Sequence, residues 1–180
     1  MENQRIRVSK AMLKEALLKL LQKEDLGRIT VAQLCDTAQI NRTTFYKYYG
    51  STYDLLAEIE NDLFEELKET LNNSSLSEKD MLTYNITFLD KNRDKMKVLF
   101  NAPSNDSFFD HLMRQPFISN FFDRELLQNF SPSESKYMRI FISHGIYAIL
   151  RDWISSDNPA SREELIALIL SIRKRFELNN

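Results

Sequence analysis

The stretch Ile29 to Tyr49, ITVAQLCDTAQINRTTFYKYY, decides the fold of this chain. It reads as two short helices joined by a tight turn. In the first, Thr30 stands where an N-cap belongs, Gln33 three residues on completes a capping box, and Ile29 and Leu34 flank them as a hydrophobic staple. Val31, Leu34, Cys35 and Ala38 recur at helical spacing and form one apolar stripe, with Ala32, Gln33, Asp36 and Thr37 facing outward. Asn41 is a second N-cap, Ile40 and Phe45 a second staple, and Phe45 and Tyr49 point inward one turn apart. The outer face that remains is Arg42, Thr43, Thr44, Tyr46, Lys47 and Tyr48, without an acid, which suits a surface lying against phosphates and base edges. The pattern is a helix-turn-helix whose second element would enter a DNA major groove.

Composition agrees with a helical protein. The chain has 180 residues, only three Gly and four Pro, and enough length for one or two domains with a substantial core. The net charge of −2 is unevenly placed: residues 1 to 50 carry nine Lys and Arg against five acids, a net of +4, which leaves −6 for the rest. The lone Cys35 excludes an intramolecular disulfide and reads as core packing. No apolar run approaches the ~20 residues of a membrane span and no signal peptide opens the chain, so the expected location is cytoplasmic, away from the membrane.

Together with the helix before it and Ser51-Thr52-Tyr53-Asp54-Leu55-Leu56 after it, this segment resembles the N-terminal domain of the TetR family of bacterial transcriptional regulators. The resemblance spans about Arg5 to Leu67, with Ile29-Thr30-Val31, Leu34-Cys35, Ala38, Ile40, Thr44-Phe45-Tyr46, Tyr49 and Leu55-Leu56 as its motif. It implies an all-α fold of about nine helices, with a three-helix DNA-binding domain over 1–54 and a helical ligand-binding and dimerisation domain over 55–180. Two positions depart from the family habit. Gln39 stands where Gly is usual and has to adopt positive φ at a cost of ~1 kcal/mol. Thr52 replaces a Lys that in many relatives contacts the phosphate backbone, leaving a hydroxyl as a possible donor. The expected DNA-contacting set is therefore Thr30, at a helix N-terminus suited to phosphate, with Arg42, Thr43, Thr44, Tyr46, Lys47, Tyr48 and Thr52.

Outside the motif, Met1 to Val8 reads as a basic arm, and a first helix is expected from Ser9 to about Lys23. Gly27 is expected to supply a left-handed residue in the connection. Ser51 and Asp54 cap a long helix with Leu56, Ile59, Leu63, Leu67 and Leu71 on one stripe, broken at Asn72-Asn73-Ser74-Ser75. The pattern then stays helical to Asn129, with breaks at Asn92-Arg93-Asp94, Ala102 to Asp106 and Pro116. Nine of the twelve Phe lie between Phe88 and Phe141, so these helices are sandwiched or line a cavity. Read with the resemblance, they suggest a ligand site for a mainly apolar effector, with Tyr84, Phe88, Phe108, His111, Tyr137, Phe141, His144 and Tyr147 as candidate lining residues. Capping boxes at Ser131-Glu134 and Ser161-Glu164 open two terminal helices apolar on two faces. That excess implies a homodimer, for which Gly145, Ile149, Trp153, Leu165, Ile169 and Ile172 are the candidate interface. The Gly145 to Trp153 spacing also resembles C-terminal domains of low-GC Gram-positive members.

Chemistry for catalysis is not visible. His111 and His144 lack ligand spacing, phosphate-cradling glycine motifs are missing, and no metal, cofactor or enzymatic activity is expected. The function expected is that of a homodimeric repressor, released from a near-palindromic double-stranded operator by a small-molecule effector. The competing reading is an interaction protein or coactivator that keeps the fold and acts through a protein partner.

Overall fold

The computed structural model describes residues 4–73, 75–101, 108–123, 127 and 130–177. Among them are ten α-helices and one 3-10 turn, and no strand. Helix α1 spans Gln4–Leu21 and buries Leu13, Ala16, Leu17, Leu20 and Leu21, the i, i+3, i+4 pattern of a one-faced helix. It begins earlier than the sequence suggests, so Arg5 and Arg7 belong to its first turns and not to an extended arm. A 3-10 turn over Leu26–Arg28 leads to α2 at Val31–Ala38. Gly27 sits in that turn without positive φ, against expectation, and a Cβ there would make only an ordinary 3.4 Å contact with the Tyr53 hydroxyl.

The turn after α2 follows the anticipated strain. Gln39 adopts φ 55°, ψ 37°, the left-handed cap, and its N–H bonds back to Asp36 and Cys35 carbonyls. Helix α3 covers only Arg42–Phe45 and continues as tight turns through Tyr48, shorter than a helix reaching Tyr49. Backbone bonds from Tyr48 and Tyr49 N–H to the Phe45 carbonyl, 2.9 and 3.0 Å, still hold Tyr49 against the core. Helix α4, Thr52–Leu71, opens with the complete Ser51–Asp54 capping box.

The body comprises α5 (Glu78–Lys91), α6 (Arg93–Asn101), α7 (Phe108–Met113), α8 (Pro116–Phe121), α9 (Pro132–Ser155) and α10 (Arg162–Glu177). Breaks fall at Asn92 and before Pro116 as the sequence indicates, while Ala102 to Asp106 lies outside the described residues. Helix α4 packs on α1 and also on α5 and α8, so one rigid element belongs to both the N-terminal unit and the body. Helix α10 lies against α5, and α9 against α6.

Candidate nucleic-acid interface and cavity

The outward surface of the α2–α3 unit is built by two side-chain caps. Thr30 Oγ1 accepts from Gln33 N–H at 3.2 Å, and Asn41 Oδ1 accepts from Thr43 N–H at 2.8 Å, which fixes where each helix starts. Gln33 does not return the bond as a capping box requires; its amide donates to Glu24 and ties α2 to the preceding connection. Leu34, Cys35, Ala38, Phe45 and Tyr49 are buried beneath. Burial pushes the Cys35 thiol up, with the Arg42 charge opposing weakly, so this side chain is packing and not a nucleophile. Thr30, Arg42, Thr43, Tyr46 and Lys47 are exposed, Thr44 and Tyr48 half-exposed. Thr52 departs from expectation: at 5% exposure on the inner side of α4's first turn, it has no access to a phosphate.

Part of the basic charge of α1 is spent inside the molecule. Lys14 Nζ lies 2.8 Å from Glu58 and 2.7 Å from Asp62, and Lys10 Nζ 3.4 Å from Glu58, all clamping α1 to α4. Burial would push the Glu58 carboxyl up, but bonds from Lys14 and Tyr49 and the Lys10 and Lys14 charges leave it below its usual range. Lys10 also stands 5.8 Å from the Tyr48 and Tyr49 ring centroids, bracing the reading element from behind. The spacing of Lys10 and Lys14 one turn apart, facing Glu58 and Asp62 one turn apart, was the sequence signal for this clamp.

The body encloses a cavity of about 410 Å³ whose wall draws on every helix from α4 to α10. Aromatic contacts line it in series: Phe64 stacks on Phe108 at 5.4 Å, Phe108 meets Phe100 at 5.6 Å, and Phe100 meets Tyr147 at 5.1 Å. Of the expected lining residues, Phe88, Phe108, Phe141 and Tyr147 face the cavity. The other four do not. Tyr84 is exposed and donates to Glu66 at 3.3 Å, and Tyr137 is 68% exposed. His144 is exposed, its Nδ1 on the Ile140 carbonyl at 2.9 Å and its ring on Phe109. His111 pairs with Glu60, Nδ1 to Oε2 2.6 Å, and so links α7 to α4.

Two family models match this chain, one described as "Bacterial regulatory proteins, tetR family" over residues 13–59 and one as "Transcriptional regulator C-terminal region" over residues 77–175. The chain belongs to the TetR family. It is a TetR-family transcriptional regulator with an N-terminal helix-turn-helix and a helical C-terminal domain. It is 25% identical over 179 residues to an uncharacterized HTH-type transcriptional regulator, YxbF, of Bacillus subtilis (strain 168). That match takes in 93% of this chain but 46% of YxbF, so the chain spans about half the length of that relative. It is also 25% identical over 176 residues to DhaS, the HTH-type dhaKLM operon transcriptional activator of Lactococcus lactis subsp. lactis (strain IL1403), covering 94% of this chain and 93% of DhaS. Among solved structures, a TetR transcriptional regulator from Streptococcus agalactiae 2603V shares the fold with a TM-score of 0.68 at 20% identity, over 94% of this chain and 95% of that one. The DhaS structure matches with a TM-score of 0.54 at 22% identity, over 93% and 94% of the two chains.

In this TetR-family chain the expected dimer residues divide. Trp153, Leu165 and Ile169 are buried within the protomer, while Ile149 and Ile172 are half-buried and line the cavity. Trp153 serves a corner: its Nε1 donates to the Ala160 carbonyl at 2.7 Å, and Arg93 lies 4.4 Å from the ring centroid while donating to the Trp153 and Ile154 carbonyls at 2.9 and 3.1 Å. A guanidinium at the last carbonyls of α9 satisfies groups that the helix itself cannot. Gly145 is open, and with Tyr137, Ile140, Phe141 and Ala148 it forms an exposed stripe on α9; Leu168 is exposed on α10. Sequence periodicity marked both faces of α9 as apolar, and within the protomer the Trp153 end of one of them closes on Arg93 and Ala160.

Proposed function

We propose that this protein is a homodimeric DNA-binding repressor whose operator affinity falls when a small, mainly apolar molecule occupies the body cavity. The observation that carries this reading is the placement of one helix, α4, which is clamped to α1 of the N-terminal unit through Glu58 and Asp62 and has its Leu63, Phe64, Leu67 and Leu71 in the cavity wall. Thr30, Arg42, Thr43, Thr44, Tyr46, Lys47 and Tyr48 are the DNA-facing set. An isologous pairing through the exposed α9 stripe, with α10 beside it, sets two such faces ~34 Å apart or a multiple of the helical turn. A ligand acts only through its different affinity for the two arrangements of the readers, so a tenfold loss of operator affinity requires ~1.4 kcal/mol tighter ligand binding to the DNA-free state.

The test is selection of the bound sequence from random duplexes, followed by anisotropy titration on the selected operator. Lys47→Ala or Arg42→Ala should cost about 1–3 kcal/mol where the side chain meets a base edge and lower the salt slope by about one where it meets a phosphate. Unchanged affinity and salt slope in a triple Arg42, Tyr46 and Lys47 alanine variant would remove the assignment. Gly145→Trp should shift the sedimentation equilibrium toward monomer, and a monomeric unmodified protein at micromolar concentration would refute the pairing. A second reading, activation, is favoured by the full-length likeness to DhaS, an operon activator. In vitro transcription from the selected operator decides the sign.

A further inference from the structure

The cavity wall is hydrocarbon and aromatic with four polar side chains among the described residues: Glu78, Asn85, Ser143 and Tyr147. No Lys, Arg or His is among them. Glu78 sits on the first turn of α5, where a carboxylate is favoured by the helix N-terminus. Ser143 already donates to the Ile140 carbonyl at 3.2 Å. Asn85 is different. Two turns along α5 from Glu78, flanked by Leu82, Phe88 and Leu89 of the same wall, its Oδ1 is buried and accepts no hydrogen bond from the protein. A buried amide oxygen without a donor is costly, and an apolar wall offers it none. Solvent entering the cavity can serve it, so a molecule that expels that solvent must bring its own polar hydrogen.

We propose that the effector is an uncharged, mainly apolar molecule carrying a hydroxyl, and that the Asn85 carboxamide receives that hydroxyl at the centre of the α5 wall. This rests on the reading of the cavity as the effector site. A carboxylate or phosphate is disfavoured because it would be buried beside Glu78 with no cation among the described residues of the wall. A pure hydrocarbon leaves Asn85 unserved. A hydroxyl suits the site better than an ether or a ketone because it both donates and accepts, so it pairs with either end of a carboxamide.

Displacement of the uncharged fluorophore N-phenyl-1-naphthylamine from the full chain tests this with four probes of one chain length: 1-dodecanol, dodecyl methyl ether, dodecanoate and dodecylammonium. Dodecanol should displace the dye at a concentration at least tenfold below the other three. Asn85→Leu should reduce the preference for alcohol over ether to less than threefold, with the affinity for ether unchanged. Asn85→Asp should instead raise dodecylammonium above dodecanol, which keeps the test open should the leucine variant not fold. Equal binding of either ion and the alcohol, or an alcohol preference that survives both substitutions, overturns the proposal, and so does failure of the dye to bind. Parallel anisotropy on the selected operator separates the two readings: Asn85-dependent alcohol binding with unchanged operator affinity upholds the ligand class and overturns ligand control.

Discussion

The N-terminal reader and the body use the same materials to opposite ends. Around Phe45, the side chains of Leu13, Leu17, Leu34, Cys35 and Leu55 are shut from solvent, and Thr30, Asn41 and Ser51 each fix a helix start by capping. The body instead surrounds about 410 Å³ with Phe, Leu and Met, and its longest helix, α9, leaves Tyr137, Ile140 and Phe141 exposed. A close-packed centre has one good arrangement of its side chains. A cavity lined by aromatic rings and flexible thioethers has several of similar energy. The contrast fits the division of work in the proposed function: the reader holds a fixed geometry against DNA, and the body repacks around a ligand.

The largest effect that can break this comparison is on stability. Phe45→Ala removes a fully buried ring from the reader core and should cost about 3–5 kcal/mol by urea unfolding. Phe141→Ala, at a side chain 61% exposed, should cost under ~0.5 kcal/mol in the protomer. Similar costs for the two would mean that the body is packed as tightly as the reader.

A smaller effect sharpens the link between the regions. His111 belongs to α7, whose Phe108, Phe109, Leu112 and Met113 line the cavity, and it grips Glu60 on the helix that carries the reader. His111→Leu removes a partner of a buried carboxylate and should cost about 2 kcal/mol. Adding Glu60→Leu should restore part of that loss, because the buried carboxylate that lost the imidazole is removed with it. Strict additivity in this double-mutant cycle would show that the pair carries no coupling between α4 and α7.

What the sequence made legible follows the same division. Caps and staples are local, so Thr30, Asn41, Ser51-Asp54, Ser131-Glu134 and Ser161-Glu164 announced their helices, and the strained Gln39 was readable from the family resemblance, in which Gly is usual there. Long-range partners were not. Lys10 and Lys14 entered only the charge tally, since their one-turn spacing does not by itself name Glu58 and Asp62 as partners, and Thr52 counted as a phosphate donor until the first turn of α4 folded it inward. In the body, apolarity showed that a helix face needs cover but not whether the cover is the cavity, the same chain or a second copy. Phe88 and Phe108 met the first, Trp153 the second, and the proposed pairing assigns the exposed Tyr137 and Ile140 to the third.

The smallest effect concerns pH and belongs to the reader side alone. The Glu58 carboxyl is held below its ordinary value of 4.5, so its contribution is complete above that pH and is lost as pH falls through the lower folded value. Lys14 loses some charge preference to burial, but Asp62 and Glu58 outweigh this and raise it above 10.5, so its contribution is complete below that pH and is lost as pH rises through the higher folded value. The α1–α4 clamp is therefore whole between about 4.5 and 10.5. Lys14→Met keeps the stem packed against α4 and removes the charge. The stability gap between the two proteins should be widest inside that window and close as pH drops below 4.5, because protonated Glu58 no longer rewards the lysine. With about a fifth of the Lys14 side chain and a third of Glu58 exposed, screening limits the gap to under ~1 kcal/mol, or ~2–4 °C in melting temperature. Thermal unfolding of both proteins across pH 3 to 8 measures it, and a gap that stays constant through pH 4.5 would show that Lys14 stabilises α1 by packing and not by charge.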